Sequence, residues 1–508
     1  MNNTAQRCRS LIPWLLMPLA FCFVSAQQTQ LFAQVTATRS NDLEERQDFL
    51  GDRGTLYTMT IAPAAEPKPA FKYRLIVPQH KTIPGNAVTH YLRSFGEGSL
   101  SRPWDALADD FGYETVDSWY DLETPVGDIP IEGLKNASSA FDSYVNNYIR
   151  RANKCRDADW GLAVEDLKPI EFFSFMAPSL QQTRQIARVL MLRNRLAIIE
   201  RRYEDSIEHI GMIYQLGDNV NEFGTAVACL VAASQVGMAN DCMVELISSP
   251  NSPNMYWALA ELPRPVLNIR RALRCESSVS QRLFPELDDI ETGEYSEEEW
   301  NRRLTSAIDT AKEFQARLSS AYDNEPPRQM QSQSMAMAAG LIGYSSAKQR
   351  LLESGLEAKR VNEMCVSQVL LIDFKRDLDY FSHECEKAVH TPTKDLDGFE
   401  DRIDELLASS LTRPGAFFVL QLSNPVAAIR QVGSSLQVGV DSLMVIEAIR
   451  HHVATHGTFP ESLEDLELPV RKNAFTGKPF GYRLENGKAV LDVESRNQKK
   501  RYAMSIAE

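Results

Sequence analysis

The sequence predicts a mainly α (α+β) protein, with helical hairpins at its centre, small β elements near the N-terminus and a C-terminal β-hairpin. Three observations predict it. Over residues 184–200, Ile186, Val189, Leu192, Leu196 and Ile199 recur three and four apart, the spacing of one helix face, while Arg184, Arg188, Arg195 and Arg202 fall mostly elsewhere. In residues 70–77, Phe71, Tyr73, Leu75 and Val77 alternate with Lys72, Arg74 and Ile76, the pattern of a strand with one buried face. Near the end, Asn486-Gly487 separates two short apolar-alternating runs, and Asn-Gly is a preferred two-residue hairpin turn.

The centre continues with a second helix from Tyr203, carrying Ile207, Ile210 and Tyr214, and two such stripes should pack antiparallel to leave water. Residues 223–236 form a third, rich in Gly224, Ala226, Ala228, Cys229, Ala232 and Ala233, small side chains that allow close backbone approach. No charge lies between Glu222 and Asp241, but Thr225, Ser234, Gln235 and Asn240 interrupt the run, which falls short of the ~20 apolar residues of a membrane span. It reads as a buried core helix ended by Gly237, with residues 241–247 as a short partner.

This second hairpin repeats the first at an offset of 35: Leu192 maps to Val227, Leu196 to Val231, Ala197 to Ala232 and Tyr203 to Met238. Residues 183–250 thereby resemble a degenerate tetratricopeptide repeat, whose period is about 34 residues. The family's diagnostic Trp, Gly and Pro positions are absent, so the resemblance implies a helical-hairpin geometry and no binding code. An ordinary irregular helical domain is the alternative. Beyond it, Trp257 and Leu259 are expected in the core, with Pro263 and Pro265 stopping one helix and starting the next.

With 508 residues, 44% hydrophobic and 24% charged, the composition is that of a soluble globular protein of about three domains. Arg7 and Arg9 precede the apolar run 11–24, and Val24-Ser25-Ala26 supplies small residues at a cleavage position, which together mark a secretory signal peptide. An uncleaved anchor and a lipidated Cys22 are the competing readings. Removing residues 1–26, with their two arginines and no acid, takes the net charge from −14 to −16. Nucleic acid and anionic lipid need a basic face and are excluded as general partners. Of eight cysteines, Cys8 and Cys22 leave with the signal. Cys155, Cys229, Cys242, Cys275, Cys365 and Cys385 lack CxxC spacing, and most are expected as small core residues; Cys229 and Cys242 should not meet.

The chain then divides into a signal peptide (1–26), a mobile polar segment (27–54), a small α/β region (55–135), the central helical-hairpin domain (136–280), an acidic helix and linker (281–335), a long-helix region (336–424) and a C-terminal helix plus β-hairpin module (425–508). Strands are expected at 56–61 and 70–77, and a short helix after Asn86 that ends at Gly96. Residues 104–123 combine Trp104, Phe111, Trp119 and Tyr120 with Asp105, Asp109, Asp110, Asp117 and Asp121. Carboxylates beside aromatic platforms suit a glycosidase, but a half-exposed segment docked by its aromatics explains them more simply. Asp288, Gly293 and Glu299 fit positions one, six and twelve of a calcium loop, but Ile290 occupies a ligand position, and Ser296 with Glu299 reads as a capping box. A linker is expected at 324–334 and one long helix over 356–389. Ser345-Ser-Ala-Lys348 matches S-x-x-K without the S-D-N or K-T-G that penicillin-binding enzymes add, and His383 and His390 lack H-E-x-x-H spacing.

In the C-terminal unit a helix carrying Leu443, Ile446, Ile449, Arg450 and Val453 runs to His456, with Gly457 as its left-handed cap. A short helix in 458–466 and the 481–493 hairpin follow, with Tyr482 opposite Leu491 and Leu484 opposite Ala489. "HGTFPESLEDL", "FTGKPFGYR" and this hairpin resemble the C-terminal half of type II secretion pseudopilins over about residues 443–494, which implies a stable helix-plus-hairpin module. Pseudopilins begin with a short leader and a long N-terminal assembly helix, whereas the signal peptide expected here is of ordinary type, so the resemblance does not imply filament assembly. His452 and His456, at i and i+4 with Glu447 nearby, are a metal-ligand pair by spacing, although a helix cap and a solvated polar face explain them more simply. No cofactor or metal is therefore expected and no catalytic residue assigned. The expectation is an exported, non-enzymatic, protein-binding or structural scaffold of the bacterial cell envelope, periplasmic or extracellular, with an unidentified protein partner. The alternatives are an envelope hydrolase with a site assembled from distant residues and a component associated with a type II secretion-like system. The 70–77 strand and the terminal hairpin are expected to share one sheet.

Overall fold

The computed structural model describes residues 37–40, 54–96, 101–161, 178–321, 332–390, 414–495 and 498–507. The signal segment and most of the 324–334 linker lie outside them. In chain order β1 (Ala37–Ser40) and β2 (Gly54–Ile61) come first, then β3 (Ile83–Asn86) and α1 (Ala87–Phe95). Asn86 opens α1, its side chain accepting from Val88 N at 3.0 Å, and Gly96 follows the last helical residue. The acidic aromatic segment forms α2 (Ser101–Phe111) and α3 (Tyr113–Ser118), and α4 (Ile131–Ala140) leads on to β4 (Cys155–Asp157), which pairs with β3.

Three long helices make the centre: α5 (Pro178–Ile199), α6 (Tyr203–Asn221) and α7 (Ala226–Ile247). Their stripes are buried as the spacing requires, with Ile186, Val189, Leu192, Ile210 and Ile213 each under 2% exposed. Polar residues join them internally: Ser206 Oγ donates to Asn194 at 2.6 Å, Gln235 to Thr183 at 2.8 Å and Tyr214 to Asn240 at 2.6 Å. Small residues set the spacing. A Cβ on Gly217 would stand 3.2 Å from the Ala232 carbonyl oxygen.

Two expectations fail here. Gly237 does not end a helix; α7 runs through it to Ile247, so there is no short partner at 241–247. Glycine costs about 1 kcal/mol inside a helix, whereas continuing buries Ala239, Cys242, Met243 and Leu246, several of them each yielding about 1.5–3 kcal/mol. Of the four positions matched at an offset of 35, Leu196 with Val231 and Ala197 with Ala232 are buried on both sides, whereas Met238 lies mid-helix where Tyr203 opens one and Val227 is 58% exposed where Leu192 is buried. Arg195 also departs from its fellow arginines, as it is 1% exposed and ion-paired with Glu245 at 2.6 Å.

Downstream, α8 (Tyr256–Ala260) and α9 (Arg270–Arg282) precede α10 (Glu297–Ala321) and α11 (Ser332–Glu353). The expected single helix over 356–389 is two, α12 (Ala358–Glu363) and α13 (Val366–His390). Extended backbone at Met364 separates them and lets Val361 and Met364 both be buried. α14 (Pro414–His456) packs on α7 and ends, as expected, at Gly457 with φ 78°. Two helical segments, Ala226–Ile247 and Val432–His456, are long and apolar enough to cross a membrane, but 61% and 83% of their most apolar stretches are buried inside the protein.

The strands β5 (Gly481–Glu485) and β6 (Lys488–Glu494) form the expected hairpin in the expected register, Tyr482 with Leu491 and Leu484 with Ala489. Residues 70–77 form no strand. Pro67, Pro69 and Pro78 lack ladder donors, and the segment instead wedges Leu75 against α6, where a Cβ on Gly211 would meet the Leu75 carbonyl oxygen at 2.4 Å. The N- and C-terminal parts nevertheless share one sheet, through β2. It pairs in parallel with β7 (Lys499–Ile506) from Gly54↔Lys499 to Ile61↔Ile506, in the order β1-β2-β7-β6-β5. The edge strand β1 falls in the expected mobile segment, of which residues 41–53 lie outside the description. Tyr57 and Tyr502, directly paired, stack at 4.8 Å on the buried face. Cys155, Cys229, Cys242 and Cys365 are free thiols.

Candidate functional site

The acidic aromatic segment was one candidate. Trp119 is 1% exposed, and Trp104, Phe111 and Tyr120 are half-buried against the core, so the aromatics dock the segment. Asp105 and Asp117 line a hollow of about 240 Å³ with Trp104, Tyr113 and Arg188. Each carboxylate accepts a tyrosine hydroxyl, Asp105 from Tyr113 at 3.1 Å and Asp117 from Tyr120. Asp121 is an ion-pair partner of Arg39 at 2.7 Å. The calcium-loop residues are likewise engaged: Glu299 accepts from Arg302 and Arg303, Ser296 Oγ from Glu299 N at 3.3 Å, and Ile290 is 1% exposed. Ser345 is an exposed residue within α11, His383 is exposed on α13, and the His390 side chain lies outside the described residues.

Charges inside the core are paired across long sequence distances. Arg195 donates to the carbonyls of Trp119 and Asp121, both at 2.7 Å, besides its bond to Glu245. One turn before Glu245, Asp241 meets Arg39 at 3.6 Å and faces Lys500 of β7. Burial pushes the Asp241 and Glu245 carboxyls up and the Lys500 ammonium down, and in each case the opposite charge pulls back.

The histidine pair gains a third member that the sequence reading missed. His452 and His456 face the same way on the last turns of α14, their rings stacked at 4.2 Å and 17°. The carboxylate of Glu467 meets both, with Oε2 at 3.5 Å from His452 Nδ1 and Oε1 at 3.3 Å from His456 Nδ1. Glu467 is held there by its loop. The capping box of Ser462 and Asp465 fixes the preceding turn, Leu463 and Leu468 are buried on either side, and Tyr256 Oη donates to the Pro469 carbonyl at 2.5 Å. His452 is 8% exposed and its Nδ1 makes no hydrogen bond. Burial pushes the Glu467 carboxyl up, but its own backbone N–H and the imidazoles of His452, His456 and His451 together hold it below the usual carboxylate range.

Glu447, expected beside the histidines, belongs to a different site. Glu447 and Arg450 are both fully buried, and Arg450 Nη1 donates to the two Glu447 oxygens at 3.0 and 2.9 Å. Glu447 Oε1 also accepts from Met255 N at 3.1 Å. Arg450 spends its other donors on Ala62 O at 2.9 Å, Ser252 O at 3.0 Å and Ser252 Oγ at 2.8 Å, tying three distant segments together. Comparison with protein-family models, curated proteins and solved structures found no match to this chain.

Proposed function

We propose that this chain is an exported, non-enzymatic scaffold of the bacterial cell envelope that works by holding a protein partner. The observation that carries the reading is where its buried charges go. Each of four such pairs has a buried carboxylate. Arg195–Glu245 and Arg350–Asp373 join helix to helix, Arg264–Asp441 joins a loop to α14, and Arg450, paired with Glu447 one turn away on α14, reaches Ala62 and Ser252. None of these residues lines the hollow at Trp104. An enzyme of acid–base type needs perturbed carboxylates around a deep hollow. The 240 Å³ hollow at Trp104 is smaller than the usual ligand pocket of about 300–1,000 Å³, and a larger one of about 580 Å³ is lined by one face of α10 alone, with its acids, Asp309 and Glu313, exposed like Asp105 and Asp117. Export rests on Arg7, Arg9, the apolar run and Val24-Ser25-Ala26.

Two experiments test it. Residues 1–26 fused to a reporter that is active only after export should deliver a processed, active reporter; retention inside the cell removes the export half. The purified chain should leave envelope polysaccharides intact, and cross-linking in the intact envelope should join it to a defined protein in fixed ratio. Hydrolysis that drops about 100-fold in Asp117→Asn would replace the scaffold with the hydrolase reading.

A further inference from the structure

We propose that His452, His456 and Glu467 bind one divalent transition-metal ion of the zinc class, fastening the end of α14 to the loop that follows it. One oxygen or nitrogen from each residue lies within 4.8 Å of the others. The two imidazole–carboxylate separations, 3.5 and 3.3 Å, are the more telling quantity. Ligands about 2.0–2.2 Å from a tetrahedral ion stand about 3.3–3.6 Å from one another. Each imidazole–carboxylate pair is thus at ligand spacing; because the two contacts use different oxygens of Glu467, one shared ion takes both of them or a turn of that carboxylate.

His452 supplies the independent observation. A ring nitrogen this buried with no hydrogen-bond partner is costly to leave unfilled. It points at Glu467 from beyond ordinary hydrogen-bond reach, so a cation between them would complete it and neutralise the carboxylate at once. His456 Nδ1 now contacts Thr455 Oγ1 at 2.8 Å, a bond that the ion displaces at this nitrogen, leaving Thr455 its bonds to the carbonyls of His451 and His452.

The donor set selects the ion. Two neutral imidazoles and one carboxylate suit zinc, cobalt or nickel, whereas calcium and magnesium take oxygen ligands. It also separates this site from a zinc hydrolase. In H-E-x-x-H the residue after the first histidine is the general base; here it is Val453, 2% exposed. With His456 and Glu467 exposed, the fourth position opens to water. The ion acts as a clasp whose loop is itself bonded to α8 through Tyr256 and to β5 through Tyr482, which donates to Pro460 O at 2.9 Å.

The test titrates the purified, chelator-stripped chain with Zn²⁺ against a chromogenic chelator and records the visible spectrum of the Co²⁺ form. The expected result is one ion per chain, tetrahedral cobalt bands, and a zinc-dependent rise in Tm. Affinity should fall at least about 100-fold in His456→Ala and in Glu467→Gln, with the metal-free Tm unchanged because both side chains are exposed. His383→Ala, on α13, should bind as the parent does. No stoichiometric zinc in the parent chain, or parental affinity in both variants, overturns the proposal.

Discussion

Glu447–Arg450 and His452–His456 sit on successive turns of one helix and solve opposite problems. In the first, the carboxylate oxygens and the guanidinium are matched from within the protein, and the side chains are fully enclosed. In the second, two rings and a carboxylate converge at the rim and one buried nitrogen is left over. A saturated buried pair is a fastening, and its value is that neither partner can be removed alone. An unsaturated cluster that stays open to solvent is where a ligand enters.

The contrast can be broken most directly at Arg450. Arg450→Met should cost about 3–5 kcal/mol by leaving Glu447 buried and uncompensated, while Glu447→Leu with Arg450→Met together should cost less than the single change. Urea unfolding of the three proteins measures it, and a double variant as unstable as the sum of its parts would show the pair to be more than a mutual match. Next in size are the apolar positions that the 35-residue correspondence equates. Leu192→Ala should cost about 2–5 kcal/mol, and Val227→Ala, at an exposed site, should stay within about 0.5 kcal/mol. Equal losses would restore the equivalence of the two positions.

A third prediction concerns a buried carboxylate that caps a backbone. Glu276 accepts from Ala226 N at 3.0 Å at the start of α7, and burial pushes its carboxyl up to about 7 from 4.5, with that N–H opposing. Because the folded form holds its proton more tightly than the unfolded chain, this group's stabilisation is whole below about pH 4.5. It fades as pH rises through about 7, at about 1.4 kcal/mol per unit and about 3 kcal/mol in all. Unfolding free energies at pH 5 and pH 8 should therefore differ by less in Glu276→Gln than in the parent chain, and an identical difference would remove the assignment. The smallest effect belongs to His456→Ala, which without metal should change stability by no more than about 0.5 kcal/mol although it lies six residues from Arg450. A larger loss would make the open cluster a fastening like its neighbour.

Local patterns were legible where one element sufficed to explain them. The stripe from Ile186 to Leu196, the helix that starts after Asn86, the stop at Gly457 and the register of the Asn486-Gly487 hairpin all depend on neighbours a few residues away. Residues 70–77 misled because an alternating pattern says that one face is buried without saying by what; Leu75 found a glycine on α6 instead of a strand edge. β7 escaped notice because Lys499-Lys500-Arg501 reads as a charged tail. Yet Lys500 shares the inward side with Tyr502 and Met504, a placement that Asp241 makes tolerable. For the histidines the spacing was visible and the third group was not. Glu467 is one of several acids in residues 461–467, and only the folding of the loop selects it.

What this amino-acid order determined alone was the helical character of the centre and of the chain before Gly457, because apolar residues three and four apart must find cover whatever lies opposite. Which surfaces supply that cover was a tertiary matter: the parallel pairing of β2 with β7, the burial of Arg195 against Glu245, and the meeting of Glu467 with two imidazoles. These contacts join residues from 11 to more than 440 positions apart. No periodicity within either segment records such a pairing, since its free energy exists only once both surfaces have been brought together.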